Sequence, residues 1–352
     1  MKNKYTLGGL FSGVGGIEKG FERNNKFKVI WANEKDKFAC KTYRENHNHK
    51  LYEDDIYDLT PSEMEPVDIL AGGFPCQAFS IAGYRKGFDD KRGELFFEIM
   101  RFVDELPEKP EVLFLENVKN LKTHDNGKTF KTIEENIKKR GYSFISKVIN
   151  TSEVTNIPQN RERTYMVCFK GEANWNNLLN KKIDTEGFAS YHFSKLFPPQ
   201  KTEDKIRVQD IIDNDKKENR YYYTEDWMNY DELSEAITSR NTAYQWRRVY
   251  VRENQSNEFP TLTANMGTGG HNVPIIMDSY GIRKLTPREC FRLQGFGNIE
   301  MPGLRGLAQL YKQAGNMVTI DVVELIAEMI FQALEYKYRN NKETKLNLIQ
   351  EA

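Results

Sequence analysis

Cys76 follows Gly72, Gly73, Phe74 and Pro75 at the end of an apolar run, a setting unlike that of Cys40 and Cys168. Those two sit inside apolar patterns, the usual place of a thiol that packs as a small hydrophobe. Glycines and polar residues surround Cys76, and a rigid proline precedes it, which suits an exposed, reactive nucleophile. Glu116 and Asn117 follow another apolar run, where a carboxylate would face the same cleft; an isolated Glu-Asn pair is more often a helix N-cap or turn. Gln159-Asn160-Arg161-Glu162-Arg163 precedes a further run and, taken alone, reads as a solvated charged turn. The fourth group is Phe11-Ser12-Gly13-Val14-Gly15-Gly16, where glycines would let a ligand approach the backbone closely. Glu18 stands where a G-x-G-x-x-G dinucleotide loop needs its third glycine. Glu34 lies about 20 residues on, where such folds bond a ribose, and Asp55 is expected to end a third strand near an adenine. The ligand indicated is a nucleoside without a pyrophosphate, although an ordinary glycine turn explains the loop equally well by itself.

These groups need a scaffold that brings them to one edge. Residues 5–11, 28–32, 67–71 and 112–115 are apolar runs of strand length. Helical spacing recurs between them, over 36–47, 93–106 and 128–140, the last ending at Gly141, a helix terminator. Residues 143–150 and 164–169 read as two more strands, with an antiparallel pairing open. Strand–helix alternation of this kind implies a mostly parallel sheet covered on both faces, with ligands at the carboxyl ends of the strands. From 181 to 280 the alternation stops, and tyrosines, asparagines, charges and turn residues take over. Residues 319–338 return to helical spacing, with Val322, Val323, Leu325, Ile326, Met329, Ile330 and Leu334 apolar, so this helix should pack back on the first domain.

The chain has 352 residues, with 51 basic and 51 acidic, so overall charge does not point to nucleic acid and leaves room for a local basic face. Aromatic residues at 12% and charged residues at 29% describe a globular chain rather than a disordered one. No stretch of the required length lacks charges, so no membrane span is expected. The four cysteines lack paired spacing, which argues against disulfides and a zinc site and for a reducing, cytoplasmic setting.

Together, in this order and spacing, the four groups resemble the DNA cytosine-C5 methyltransferase family, of the bacterial restriction-modification type. The glycine loop is similar to the family's methionine-binding motif, Gly73-Phe74-Pro75-Cys76-Gln77 to its catalytic loop, and Glu116-Asn117-Val118 to its glutamate motif. Gln159 to Arg163 match its Q-x-R-x-R motif. Arg288-Glu289-Cys290-Phe291-Arg292-Leu293-Gln294-Gly295-Phe296 and Gly315-Asn316 match its last two motifs. The resemblance runs from about Leu7 to Val318 and breaks only at 181–280, where the family keeps its target-recognition domain.

It implies an α/β, Rossmann-like S-adenosylmethionine-dependent fold with an inserted, irregular, β-rich recognition domain. Residues 1–183, completed by 305–340, would bind cofactor and do the chemistry; 184–304 would read the target; 341–352 would be a tail. Cofactor contacts are expected from Phe11, Gly13, Gly15, Gly16, Glu34, Asp55, Ile56, Pro75, Leu95 and Asn316. Three departures stand out. Met317 replaces the serine of Gly-Asn-Ser, Lys35 replaces an aromatic residue that stacks on adenine, and Asp54 replaces the glycine of Gly-Asp-Ile.

The resemblance also implies roles. Cys76 would add to cytosine C6 and activate C5. Glu116, protonated, would donate to N3 and accept from the exocyclic amine. Arg163 would hold O2, and Arg161 would position the loop and cysteine. The base must leave the duplex to be reached, and the polar loop 78–92, with Ser80 and Arg92, would close over the DNA. In the second domain Arg240, Arg247, Arg248 and Arg252 alternate with Tyr244, Trp246 and Tyr250, which suits phosphate contacts. The glycine-rich stretch 261–272 could approach the bases, with Arg283, Lys284, Arg288 and Arg292 adding charge. The expected partner is double-stranded DNA, with no membrane and no metal. The protein is expected to act as a monomer, alongside a restriction endonuclease as functional rather than physical partner. Competing readings are an RNA cytosine methyltransferase, a nicotinamide dehydrogenase and an inactive DNA-binding module.

Overall fold

The computed structural model describes residues 2–74, 95–175, 187–247, 249–254, 257–268, 273–303 and 306–350. The alternation read from the sequence becomes β1 (Tyr5–Leu10), α1 (Gly16–Arg23), β2 (Phe27–Asn33), α2 (Lys37–Asn46), β3 (Lys50–Tyr52), β4 (Ile69–Gly73), α3 (Leu95–Glu105), β5 (Val112–Val118), α4 (Lys128–Lys139) and β6 (Ile145–Asn150), then the short β7 (Gln159–Asn160) and β8 (Glu162–Phe169). Seven strands form one sheet in the order β3-β2-β1-β4-β5-β8-β6. The first five are parallel, and β8 runs antiparallel between β5 and β6.

The central strands are buried almost throughout, and successive residues face opposite cores, as a pleated sheet covered on both faces requires. Ile69, Ala71, Val112 and Phe114 face one core, with Phe21 of α1 and Val322, Val323, Ile326 and Ile330 of the last helix. Leu70, Leu113 and Leu115 face the other, with Phe96, Ile99, Phe102 and Val103 of α3 and Ile133 and Ile137 of α4.

Three expectations change. Asp55 does not end β3; it lies past Tyr52 and starts a 3-10 turn, because the chain turns at Glu53 and Asp54. The helix Phe188–Leu196, α5, falls on the recognition side of the division at 184. Its Ala189 and Phe193 join the first core, and Phe193 meets Phe169 at 5.5 Å. Phe197, just past the helix, joins the same core. The last helix runs from Ile320 to Gln350, through most of the segment read as a tail, because no proline or glycine interrupts it.

The second lobe carries β9 (Tyr244–Arg247), β10 (Tyr250–Glu253), β11 (Phe259–Pro260), β12 (Ile275–Met277) and β13 (Ile282–Lys284). Four of them form an antiparallel sheet, β10-β9-β12-β13, while β11 pairs with β7 of the first domain. Helices α6 (Pro287–Arg292), α7 (Ala308–Asn316) and α8 (Ile320–Gln350) return the chain. A third core joins the lobes, packing Val14 and Ile157 with Phe259, Leu262, Phe291, Leu310, Met317 and Ile320.

Candidate active site

Strand register assembles the catalytic edge. Gly73, the last residue of β4, pairs with Glu116 of β5, and Val118 of β5 pairs with Arg163 of β8. Pro75 and Cys76 follow Gly73 directly but lie outside the described residues, as do Ser80, Arg92 and Arg248. A Cβ on Gly73 would sit 3.2 Å from Glu116 Oε2, so glycine is what lets the strand pass the carboxyl. Asn117 Nδ2 donates to the Phe74 carbonyl at 2.8 Å and holds the chain where it leaves β4 toward Cys76. Asn117 is thus a positioning residue that the sequence left as a turn.

Glu116 is buried, with its Oε1 3.2 Å from Arg163 Nε. Burial raises its pKa, against the pull of Arg163 and Arg161. A carboxyl in that state can donate a proton to a ligand and accept a hydrogen bond on its other oxygen.

Gln159 and Arg161 are not a solvated turn; both are buried. Gln159 donates to the Leu293 carbonyl at 2.5 Å and accepts from Leu262 N at 3.1 Å. Arg161 donates to the carbonyls of Leu262 and Met317 at 2.8 Å each, and of Gly315 at 3.3 Å. Burial lowers its pKa, with Arg163 adding to the effect. Arg161 therefore ties the two lobes together, and it also lines the cleft beside Glu116 and Arg163.

A cleft of about 330 Å³ opens beside Glu116 and Arg163. One wall is the turn after β1, with Phe11, Gly13, Val14 and Gly16; the other is Lys312, Gly315, Asn316, Met317 and Val318. Phe11, Gly13 and Gly15 take φ of 56°, 58° and 85°, the left-handed region that favours glycine, and a Cβ on Gly13 would meet nothing within 4 Å. Gly16 is required by packing, since its Cβ would lie 2.8 Å from the Val318 carbonyl. Gly15 is required too, because a Cβ there would strike His47. Glu34 accepts from Gly13 N at 2.8 Å and Asp36 N at 2.7 Å, leaving lone pairs toward the cleft it lines.

Gly15, Asp55, Ile56 and Leu95 fall outside this wall. Ile56 and Leu95 pack with the second core instead. Asp55 holds Lys35 at 2.9 Å, while its Oδ1 is buried without a partner. Lys312, 2.7 Å from Asp36, lines the cleft without any signal in the local sequence, because the pair is made only when α7 reaches α2. Glu18, read only as a missing glycine, is buried and accepts from Ser12 Oγ at 2.5 Å, which props the turn from behind.

A second cleft, of about 380 Å³, lies where the lobes face each other. Asn160, Gln245, Arg247, Arg252, Asn254, Thr261, Thr263 and Asn265 line it. Alternation sorts this ribbon: Gln245 and Arg252 face each other on one side, and Trp246 and Val251 on the other. Tyr244 and Trp246 therefore turn inward, toward Leu233, Ile275 and Trp227, and are not interleaved with the cations on the open face. Arg240 is exposed but away from this wall. The charges expected from 283–292 are mostly spent internally. Arg283 is buried between Asp278 at 2.6 Å and Glu289 at 2.8 Å, and Arg292 pairs with Asp213 at 2.5 Å. Arg288 donates to the Ile299 carbonyl at 3.0 Å. Of 261–272, residues 269–272 lie outside the described set, and Gly267 packs against Ala308.

No helix of the described residues is long and apolar enough to cross a membrane. Comparison with known proteins agrees with the geometry. The family model described as C-5 cytosine-specific DNA methylase matches residues 5–332. The type II methyltransferase M.Bsp6I of Bacillus sp. (strain RFL6) is 48% identical over 332 residues, 93% of this chain and 99% of that protein. M.HhaI of Haemophilus parahaemolyticus is 35% identical over 336 residues, 93% and 94% of the two chains. In fold, the S. pombe Dnmt2 methyltransferase superposes with a TM-score of 0.67 at 17% identity, covering 94% of this chain and 99% of that one. By the family match over most of its length and its identity to these relatives, the chain belongs to the C-5 cytosine-specific DNA methylase family.

Proposed function

We propose that the protein transfers a methyl group from S-adenosylmethionine to C5 of a cytosine flipped out of double-stranded DNA, through a covalent adduct with Cys76. The observation that carries this reading is the buried Glu116, with its raised pKa, beside Arg163 at the edge where β4 runs on to Cys76. The cofactor supplies an electrophilic methyl group on a sulfonium. The turn of Phe11, Gly13 and Gly16, the carboxylate of Glu34 and Asn316 would hold it, and the open space at Gly13 suits a nucleoside.

The Cys76 thiolate adds to C6, forming the sulfur–carbon bond as the C5–C6 π electrons move into the ring. Glu116 gives its proton to N3, so the ring carries no net negative charge, and accepts from the exocyclic amine. Arg163 holds O2 and steadies Glu116. C5 would then take the methyl carbon, with the sulfonium sulfur leaving as a neutral thioether. A base would remove the C5 proton, the C6–sulfur bond would break to return the Cys76 thiolate, and N3 would give its proton back to Glu116. Arg161 and Gln159 keep the lobes in register across this edge.

The proposed recognition lobe presents Arg247 and Arg252 in the second cleft, where phosphate contacts would position DNA and Gln245 and Asn254 could read base edges. The family model and the relatives named as type II methyltransferases support DNA over RNA; that the protein acts as a monomer on a short duplex sequence, with a restriction endonuclease as functional partner, is part of the same proposal. The test is transfer of tritiated methyl groups to duplex DNA and to tRNA, followed by bisulfite sequencing of the methylated DNA. Label in tRNA alone would refute the DNA reading; label without a 5-methylcytosine signal would refute the C5 assignment.

A further inference from the structure

Behind the cofactor turn, Glu22 of α1 meets His47 and His49, from the extended chain after α2. Two residues apart in extended chain, the imidazoles project to the same side. One ligand atom from each residue lies within 4.8 Å of the others. His47 Nδ1 is 3.9 Å, and His49 Nδ1 3.5 Å, from a Glu22 carboxylate oxygen.

The hydrogen bonds on the far sides of the rings decide what these atoms are. His47 Nε2 lies 3.1 Å from the Val14 carbonyl, which can only accept, so Nε2 carries the proton. In the neutral ring Nδ1 is then a bare lone pair. It is buried and has no hydrogen-bond partner among the described residues. Protonating it gives an ion pair with Glu22 at 3.9 Å, a separation too long for a hydrogen bond. Two ligands of one tetrahedral zinc ion, each at about 2.0–2.2 Å, stand roughly 3.3 Å apart, so an ion bridges this gap with a small closure. His49 has its Nε2 on the Tyr43 hydroxyl, which can donate or accept, and its Nδ1 toward Glu22. A metal-binding histidine almost always fixes its other nitrogen on a carbonyl or similar group, as His47 does on Val14.

We propose that Glu22, His47 and His49 form a structural site for a divalent zinc-class cation, completed by water, that braces the cofactor turn from behind. Imidazole and carboxylate donors favour zinc over magnesium or calcium. Glu22 is 35% exposed, which leaves an entry path and room for water. The brace follows from contact: His47 bonds the carbonyl of Val14 and lies where a side chain on Gly15 would be, and Val14 lines the cofactor cleft. The ion takes no part in methyl transfer. This inference depends on the geometry of the turn and not on the proposed reaction.

The test uses untagged full-length protein freed of metal by a chelator. Zinc ion is titrated by calorimetry, and cobalt ion by visible absorption. His47 is buried and stacked on Tyr43 at 4.3 Å, so the variants are Glu22→Gln and His49→Gln, each checked for folding by circular dichroism. One zinc per chain is expected, with a tetrahedral cobalt band and a higher thermal midpoint in zinc. Each variant should bind at least ~10-fold more weakly, the minimum for losing even an outer partner of a site. Absence of saturable binding would overturn the proposal. So would unchanged affinity in both variants, which would put the ion elsewhere. A wild-type stability that changes with pH, in a way the variants lose, but never with zinc would mean a histidine–carboxylate ion pair only and would overturn it too.

Discussion

Glu116→Gln tests the chemistry with the least change of shape. The amide fills the same buried space opposite Arg163, 3.2 Å away, but cannot give a proton to N3. Removing one preorganised donor from a water-poor site costs about 10²–10³ in rate, or about 2.7–4 kcal/mol, and the larger end is expected because Glu116 is buried. The pH profile carries the sharper signal. Burial raises the Glu116 pKa, so the reactive protonated form persists above the ordinary carboxyl range and is lost as pH rises through the folded value. Thiolate formation at Cys76 acts the other way, so the wild-type profile should rise and then fall. Glu116→Gln should be slow and should lack the falling limb. Stability follows the same sign. The folded pKa lies above the unfolded one, so the contribution of Glu116 is complete below the unfolded value and lost as pH rises through the folded one. The glutamine variant should escape that loss. The assay is single-turnover transfer of labelled methyl groups to duplex DNA across a pH series, beside thermal melts. A variant with wild-type rate, or one that keeps the falling limb, would refute Glu116 as the proton donor.

Three further outcomes are expected. Cys76→Ser should abolish transfer while cofactor affinity stays within a few-fold, since a hydroxyl is far less ionised than a thiol; substantial turnover would remove Cys76 as nucleophile. Glu34→Ala should weaken cofactor binding by about 1–3 kcal/mol through the loss of charge-assisted hydrogen bonds, including the one that holds Gly13 N, and calorimetry with unchanged affinity would exclude Glu34 from the site. Replacing Arg247 and Arg252 by alanine should lower DNA affinity and reduce the salt slope by about 1 for each phosphate that is no longer neutralised, without touching cofactor affinity. Should one of them bond a guanine edge, discrimination at that base pair would relax by about 1–3 kcal/mol. A salt series on target and scrambled duplexes, with a parallel cofactor titration, checks both.

Local pattern was enough to place Gly13 just past β1, Glu116 near the end of β5 and Arg163 near the start of β8, because strand and helix periods and glycine turns are written in neighbouring residues. The order of the motifs along the chain was likewise enough to indicate the family. What neighbours cannot encode is which distant groups neutralise one another. Arg292 looks like a free cation in the sequence, yet it is paired with Asp213, far back along the chain. Gln159 and Arg161 look solvated, yet they are buried, because the carbonyls that satisfy them come from residues 100 or more positions away. Alternation on β9 is visible in the sequence, but only packing against Trp227 and Ile275 decides that Trp246 turns inward and Arg247 outward. The same holds for Lys312 on Asp36 and for the meeting of Glu22 with His47 and His49. Buried polar groups need partners to offset desolvation, and where those partners are remote in sequence, only the folded chain determines which ones they are.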